Sequence, residues 1–185
     1  MALTWPWPLP SPALFRLLPL PPFSRDFFVV LGEDGWPRRL RIAEDPLEED
    51  PSPPPLLSPR HPLGEALRRI LEGAAVYAGP LPSEVSPFDR EVLETIRRIP
   101  FGTTASYADV ARALGRPRAA RAVGGALARN PLPLLLPCHR VIRANGEEGG
   151  YSGGAGNKRR MLEWERGRKR MTGEPGDCEG ELEKD

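Results

Sequence analysis

The chain has 185 residues, of which 39% are hydrophobic and 28% are charged, a composition typical of a globular protein and not of a wholly disordered chain. Its net charge of +1 is unevenly divided, because residues 85–170 carry +9 whereas residues 1–84 and 171–185 carry −3 and −5. A strongly basic block is expected where a surface binds a polyanion, although a solvated basic face has the same charge.

The apolar beginning of the chain is rich in proline, which predicts loops and not a membrane segment. Fifteen of the 24 prolines lie in residues 1–62 and interrupt every apolar run before it reaches a spanning length. No basic residue precedes the apolar stretch, so we expect neither an export signal nor a membrane span. The two cysteines, Cys138 and Cys178, make no disulfide framework, and we predict a cytoplasmic protein.

The first 84 residues predict a small α+β unit. Residues 27–31 and 38–42 read as two antiparallel strands joined by a turn at Asp34-Gly35. A Pro-rich connector follows, and then the stretch "LGEALRRILEGA" has the apolar spacing of a short helix. His61 lies in the connector, where we predict a solvent-exposed residue and not a ligand.

Three helices are predicted in the first half of the basic block. Ser86, Pro87 and an acidic residue three positions after the serine predict a helix start, and the apolar spacing continues to Pro100. Ser106 and Asp109 repeat the capping pattern, and "RAARAVGGALARN" fits a third helix after a tight "GRPR" turn. Two short helices so joined predict a helix-turn-helix.

The third of these helices is unusual because it offers almost nothing large to bury. Two glycines in a helix interior each cost about 1 kcal/mol relative to alanine, so a close approach to another surface should offset them. Neighbouring arginines favour nucleic acid as that surface, and a tightly packed helix pair is the alternative. The small residues are Ala119, Ala120, Ala122, Gly124, Gly125, Ala126 and Ala128.

The rest of the chain predicts a glycine-rich loop, a basic helix and an acidic tail. The loop covers "ANGEEGGYSGGAGN", the helix covers "KRRMLEWERGRK", and residues 171–185 have no apolar periodicity and should be disordered. The predicted fold is therefore α+β, with a small N-terminal domain of antiparallel strands and a mostly helical C-terminal domain. The boundaries are 1–84, 85–170 and the tail 171–185.

The stretch "LLLPCHRVI" places Cys138 and His139 after an apolar run. A lone cysteine there is usually a small buried hydrophobe, but a neighbouring base and a positive field would favour the reactive thiolate. In an extended segment adjacent side chains point to opposite faces, so the imidazole would reach the sulfur through a water or a turn. A zinc site is not expected, because the chain has no C-x-x-C pair. A cysteine hydrolase normally uses a histidine distant in the sequence, and here the only such histidine is in the Pro-rich connector.

Four motifs follow one another along the second half of the chain: "SYADVARALG", "RAVGGALARNP", "PCHRVI", and "GYSGG" followed by "KRRMLEWE". Together they resemble the O6-alkylguanine-DNA alkyltransferase family, the methylated-DNA–protein-cysteine methyltransferases. The resemblance covers residues 86 to 168 with the motifs in family order. It implies single-turnover, irreversible transfer of a methyl or alkyl group from O6-alkylguanine in duplex DNA to Cys138 after base flipping, with O4-alkylthymine as a further candidate substrate.

The resemblance also implies roles for individual residues. His139 would deprotonate Cys138 through a water, Glu165 would polarise His139, and Asn130 would brace the turn before the cysteine. Tyr107 would crowd a phosphate and donate a hydrogen bond to the flipped guanine, while Arg121 would replace the base in the stack. The DNA-binding helix would contribute Ala120, Ala122 and Gly124, and the base pocket would be lined by Val141, Tyr151 and Ser152.

The resemblance implies a protein that acts as a monomer without cofactor or metal, and two alternatives stay open. A lesion-binding module would bind alkylated duplex and leave the lesion intact. A transcription factor would need base-reading side chains, which the alanine-rich and glycine-rich helix does not offer.

Overall fold

The computed structural model describes residues 13–17, 19–23, 26–42, 55–57, 61–154 and 156–172. Most of the Pro-rich connector therefore lies outside the described residues. So does the acidic tail predicted to be disordered, with Cys178, apart from its first two residues. Among the residues described, no helix has both the length and the apolar composition that a bilayer crossing requires.

A three-stranded antiparallel sheet forms the front of the protein. Its strands are β1 (Ala13–Leu17), β2 (Phe27–Leu31) and β3 (Pro37–Ile42), paired in that order. Helix α1 (Pro62–Leu71) follows, and His61 caps it by accepting a hydrogen bond at Nδ1 from the Leu63 backbone N–H at 3.2 Å. The prediction of an exposed histidine is wrong, because this cap half-buries the ring.

After α1, the described residues contain four further α-helices, one 3-10 turn and a pair of two-residue strands. The helices are α2 (Pro87–Arg97), α3 (Tyr107–Ala113), α4 (Ala120–Ala128) and α5 (Asn157–Thr172). Strand β4 (Ala105–Ser106) pairs in parallel with β5 (Val141–Ile142) and so brings the start of α3 beside the segment that follows the cysteine.

Both predicted serine caps are present. Ser86 Oγ accepts a hydrogen bond from the Asp89 N–H at 3.2 Å and starts α2. Ser106 and Asp109 form a reciprocal capping box, with bonds of 3.1 and 2.8 Å between each side chain and the other residue's backbone N–H. These caps satisfy N–H groups that a helix start leaves without partners.

The sheet and the helices share one continuous hydrophobic core. Phe27 of β2, Leu67 of α1, Val92 of α2 and Val123 of α4 are all fully buried members of it. The Leu40 backbone N–H of β3 also donates a 2.8 Å hydrogen bond to the carbonyl of Pro131, which follows α4. The predicted combination of a small antiparallel sheet with helices is thus observed, and the front sheet lies against the segment that leads to Cys138.

Candidate active site

Cys138 lies on a tight turn and not on an extended segment as the sequence suggested. Residues Cys138–Arg140 form one turn of 3-10 helix, and the cysteine is 3% exposed. The preceding leucines are buried, and Leu134 among them has a φ of 74°, in the left-handed region that costs a leucine about 1–3 kcal/mol. The apolar run is therefore a fixed, folded wall behind the sulfur.

Asn130 holds this turn together and contacts the sulfur directly. Its Nδ2 donates to the Leu136 carbonyl at 3.2 Å and lies 3.0 Å from Cys138 Sγ, while its Oδ1 accepts from the Leu132 N–H at 2.9 Å. Ser152 approaches from the glycine-rich loop, with its Oγ 3.5 Å from Sγ. The sequence predicted all three residues in the site, and the structure brings them together.

The resting thiol is held in its protonated form. Burial raises the pKa of Cys138, and the hydrogen bonds from Ser152 and Asn130 and the positive charge of Lys158 only partly oppose this effect. Because the thiolate is the nucleophile, a thiol with a raised pKa needs a base nearby.

His139 and Glu165 provide a candidate base. The His139 Nε2 atom lies 2.8 Å from Glu165 Oε1, and both side chains are buried. The other ring nitrogen, Nδ1, is buried and has no hydrogen-bond partner among the described residues. No direct hydrogen bond joins the ring to Cys138 within the described residues, which agrees with the expectation that the imidazole does not contact the sulfur itself.

Arg140 is a buried partner of Glu165 that sequence reasoning did not assign. Its Nε and Nη2 atoms donate to the carboxylate at 3.0 Å, and its Nη1 donates to the Ile99 carbonyl at 2.7 Å. The Gly102 backbone N–H donates a further 2.9 Å bond to Glu165. The sequence indicates only that a guanidinium in a buried segment needs an anion, and the fold identifies that anion as Glu165.

These contacts leave Glu165 charged and His139 neutral. Burial alone would raise the pKa of Glu165, but hydrogen bonds and positive charge from His139 and Arg140 lower it to about 2. Burial lowers the pKa of His139, and Arg140 and Lys158 lower it further against the opposing effect of Glu165. At neutral pH the site therefore holds an anionic carboxylate and a neutral imidazole that can accept a proton.

Lys158 is a second residue of the site that the sequence did not single out. Its Nζ donates to the Val141 carbonyl at 2.5 Å and to the Gly150 carbonyl at 3.3 Å, and it lies 5.8 Å from the centre of the Tyr107 ring. Burial lowers its pKa, and the Cys138 thiolate would raise it. The lysine thus ties the glycine-rich loop to β5 beside the sulfur.

The predicted pocket residues surround the same point. The Tyr151 ring packs edge-on against His139 with 6.1 Å between centroids, and Val141 is fully buried. Burial raises the pKa of Tyr107, and a negative charge on Cys138 would raise it further. Tyr107 therefore stays a neutral hydrogen-bond donor near neutral pH.

Four of the five predicted DNA-binding residues lie on α4, and the fifth, Tyr107, begins α3. Arg121 and Ala122 are exposed, and Ala120 and Gly124 are partly exposed. A Cβ added at Gly124 would lie 3.7 Å from the Tyr107 ring, an ordinary contact, so packing inside the described part of the protein does not require this glycine. Across the described ranges, no group of three or more His, Cys, Asp or Glu side chains could hold a metal ion.

Comparison with known proteins gives a consistent result. The family model for the 6-O-methylguanine DNA methyltransferase DNA-binding domain matches residues 87–167. The methylated-DNA–protein-cysteine methyltransferase of Methanothermobacter thermautotrophicus is 38% identical over 149 residues, which are 76% of this chain and 79% of that protein. The chain belongs to the methylated-DNA–protein-cysteine methyltransferase family. The predicted family and the enzyme class that defines it are therefore confirmed.

Other members of the family align over shorter stretches. The Shigella flexneri methyltransferase is 44% identical over 105 residues, 56% of this chain and 61% of that protein. The Mus musculus methyltransferase is 48% identical over 90 residues, 45% of this chain and 43% of that protein. This chain thus spans less than two thirds of those two relatives, and their similarity is concentrated in fewer than 110 residues.

Solved structures of methyltransferases share the fold. The O6-methylguanine methyltransferase of Mycobacterium tuberculosis aligns with a TM-score of 0.66 and 29% identity over 89% of this chain and 96% of that one. The same bacterium's OGT in complex with DNA aligns with a TM-score of 0.61 and 32% identity over 77% of this chain and 88% of that one. The likeness includes the N-terminal sheet, because it extends well beyond residues 87–167.

Proposed function

We propose that this methyltransferase repairs duplex DNA by moving the alkyl group of O6-alkylguanine to Cys138 Sγ, once per molecule. The observation that carries the proposal is the buried sulfur, contacted by Asn130 and Ser152 and adjacent to a neutral His139 held by Glu165. We keep as part of the proposal the predicted domain boundaries at residues 84 and 170, a monomeric state and a cytoplasmic location.

The proposed reaction is a displacement at the alkyl carbon. His139 accepts the thiol proton at Nδ1 through a bridging water, and the thiolate forms a C–S bond as the C–O6 bond breaks. The electron pair of the broken bond goes to the guanine, where a donor such as Tyr107 or Ser152 stabilises the developing charge. The product is a thioether without a good leaving group, so the protein is consumed.

The proposed DNA contacts are those of a helix-turn-helix built from α3 and α4. A sulfur buried in the protein cannot reach a base inside a stacked duplex, so the alkylated nucleotide must rotate out at a cost of a few kcal/mol. In this proposal Arg121, which is exposed on α4, fills the gap. The small residues Ala120, Ala122 and Gly124 let the helix backbone come close to the DNA.

A peptide mass measurement tests the proposal. After incubation with a duplex that contains O6-methylguanine, the peptide that holds Cys138 should gain the mass of one CH2 group, at no more than one per molecule. The Cys138→Ser variant should bind the duplex and leave the lesion intact. Tight binding by the natural protein without any mass gain would instead favour the lesion-binding alternative.

A further inference from the structure

A cleft of about 1090 Å3 opens beside the candidate active site, between strand β3 and the end of helix α4. Asn130 and Ser152, the two residues whose side chains contact Cys138 Sγ, both line it. Arg39 and Arg41 of β3 line the same cleft. The cleft therefore connects the surroundings of the sulfur to a basic edge of the front sheet.

The position of the two arginines is fixed by the strand. Arg39 and Arg41 are exposed and alternate with Leu40 and Ile42, which are buried in the core. The backbone N–H of Leu40 binds the Pro131 carbonyl at 2.8 Å, one residue after Asn130. Both arginines are thus held next to the segment that positions Cys138, and they are about 6.6 Å apart along the strand.

The charge of the cleft is not neutralised by its own residues. Its other two arginines, Arg38 and Arg129, are paired with Asp34 and Asp89, at 2.7 Å in each case. Arg39 and Arg41 form no ion pair with any residue in the part of the chain that the structure describes, and Glu84 is the other carboxylate in the lining besides Asp89. Two guanidinium groups that project from the same face of a strand, and that are not paired with carboxylates, can bind an anion.

The same cleft is continuous with the surface of α4 that carries Arg121. Ala128 lies seven residues after Arg121, and two helical turns bring the two onto the same side of the helix. Both are exposed, and Ala128 lines the cleft. A DNA strand that follows this side of α4 past the active site would meet β3 next.

We propose that Arg39 and Arg41 form a second DNA-binding surface, which binds phosphates of the strand that carries the lesion. This inference rests on the proposed function, because it takes the duplex to lie across α4 with the alkylated nucleotide at Cys138. The front sheet then contributes directly to substrate binding and orients the strand at the site, beyond its role in the core.

The salt dependence of binding to an unmodified duplex tests this surface. Each phosphate contact contributes about 0.9 to the slope of log K against log salt, so Arg39→Gln/Arg41→Gln should reduce the slope by about 1–2 and weaken binding about tenfold at low salt. Each single variant should give about half of the change in slope. The matched control is Arg98→Gln/Arg166→Gln, which removes two exposed arginines outside the cleft.

The outcomes separate this inference from the proposed function. We expect the Arg39/Arg41 variant to keep its melting temperature and its rate of methyl transfer from O6-methylguanosine, which has no phosphate, and to transfer more slowly from duplex. An unchanged slope and duplex rate, or equal losses in the control variant, would overturn the second surface. Absence of methyl transfer to Cys138 in the natural protein would overturn the proposed function instead.

Discussion

Arg140 binds both oxygens of the Glu165 carboxylate with its guanidinium, at 3.0 Å from each, directly beside the bond from Glu165 to His139. The Glu165 carboxylate is thus hydrogen-bonded both to the Arg140 guanidinium, which is charged, and to the His139 imidazole, which can become charged. Arg140 keeps it ionised, and its positive charge discourages protonation of the imidazole. A base that is neutral in the resting site can accept the proton of a thiol whose pKa is raised.

Replacing Arg140 should change the pH dependence of alkyl transfer as well as stability. In Arg140→Met, loss of the nearby positive charge raises the pKa of His139, so on acidification the transfer rate should start to fall at a higher pH than in the natural protein. Breaking the buried pair should also cost about 3–5 kcal/mol of unfolding free energy. The measurement is the second-order rate of methyl transfer from alkylated duplex across pH.

Arg140→Lys provides the matched control for this experiment. Lysine keeps the charge but cannot make the two-nitrogen contact, so it should lower stability while the pH profile keeps its position. If the transfer rates of the natural protein and Arg140→Met differ by the same factor at every pH, Arg140 acts only on the fold.

Asn130 should affect both the reactivity of the thiol and the stability of the turn. In Asn130→Ala the sulfur loses a donor at 3.0 Å, so the pKa of Cys138 should rise further and alkylation of this thiol by iodoacetamide should slow about tenfold at neutral pH. The Leu132 N–H loses its partner in the same variant, whereas the Leu136 carbonyl keeps the bond from the Cys138 N–H, so the cost should be about 1–3 kcal/mol. Peptide mass spectra report the alkylation of Cys138 separately from that of Cys178.

Ser152→Ala separates the effect on thiol reactivity from the effect on stability. It removes the other polar contact of the sulfur, at 3.5 Å, from a loop residue that makes no other hydrogen bond within the described ranges. It should slow thiol alkylation and leave the unfolding free energy nearly unchanged. Equal stability losses in both variants would contradict the assignment of the bracing role to Asn130.

Local signals in the sequence predicted the helices well. The Ser106 and Asp109 capping box and the Ser86 cap depend on residues three positions apart, and both are present where predicted. Strand β1 was missed because prolines surround it and its pairing with β2 is a contact between separate segments. Spacing within one segment carries no information about such a partner.

The sequence predicted the site residues that lie in family motifs, and it missed those that are defined by contacts between distant parts of the chain. Cys138, His139, Asn130 and Glu165 were found through the family motifs, and the structure brings them together. Arg140 and Lys158 were missed because their partners are 25 and 17 residues away, at Glu165 and Val141. Only the folded chain shows that these two cations are buried against that carboxylate and that carbonyl.

Gly124 should be a site where stability and DNA binding change in opposite directions. An alanine Cβ there meets the Tyr107 ring at 3.7 Å without a clash, and alanine is the better helix former, so Gly124→Ala should raise the unfolding free energy by about 0.5–1 kcal/mol. If α4 approaches the DNA closely, the added methyl group should weaken duplex binding several-fold. Thermal unfolding and duplex titration measure the two effects.

Ala126→Gly is the control for that experiment. Ala126 lies on the same helix but is fully buried, so glycine there should lower stability and leave the DNA-facing surface unchanged. A Gly124→Ala protein that is more stable and binds duplex as tightly as the natural protein would show that the DNA does not approach this part of α4.

Glu165 should make the protein sensitive to acid in a defined range of pH. Its pKa of about 2 in the folded protein lies below the ordinary value of 4.5, so its stabilising effect is complete above pH 4.5 and is lost as the pH falls to about 2. The difference corresponds to about 3 kcal/mol. His139 acts in the same direction at higher pH, because its lowered pKa lets the unfolded chain take up a proton first below about pH 6.5.

Urea unfolding at a series of pH values measures this dependence. Glu165→Gln should be less stable than the natural protein at pH 7 by about 3–5 kcal/mol, because Arg140 is left buried without its anion, and it should lose less stability between pH 4.5 and 2. Glu147→Gln is the control, since Glu147 is exposed and solvent screens its pair with Arg143. If Glu165→Gln and the natural protein lose the same stability below pH 4.5, carboxylates other than Glu165 determine the acid sensitivity.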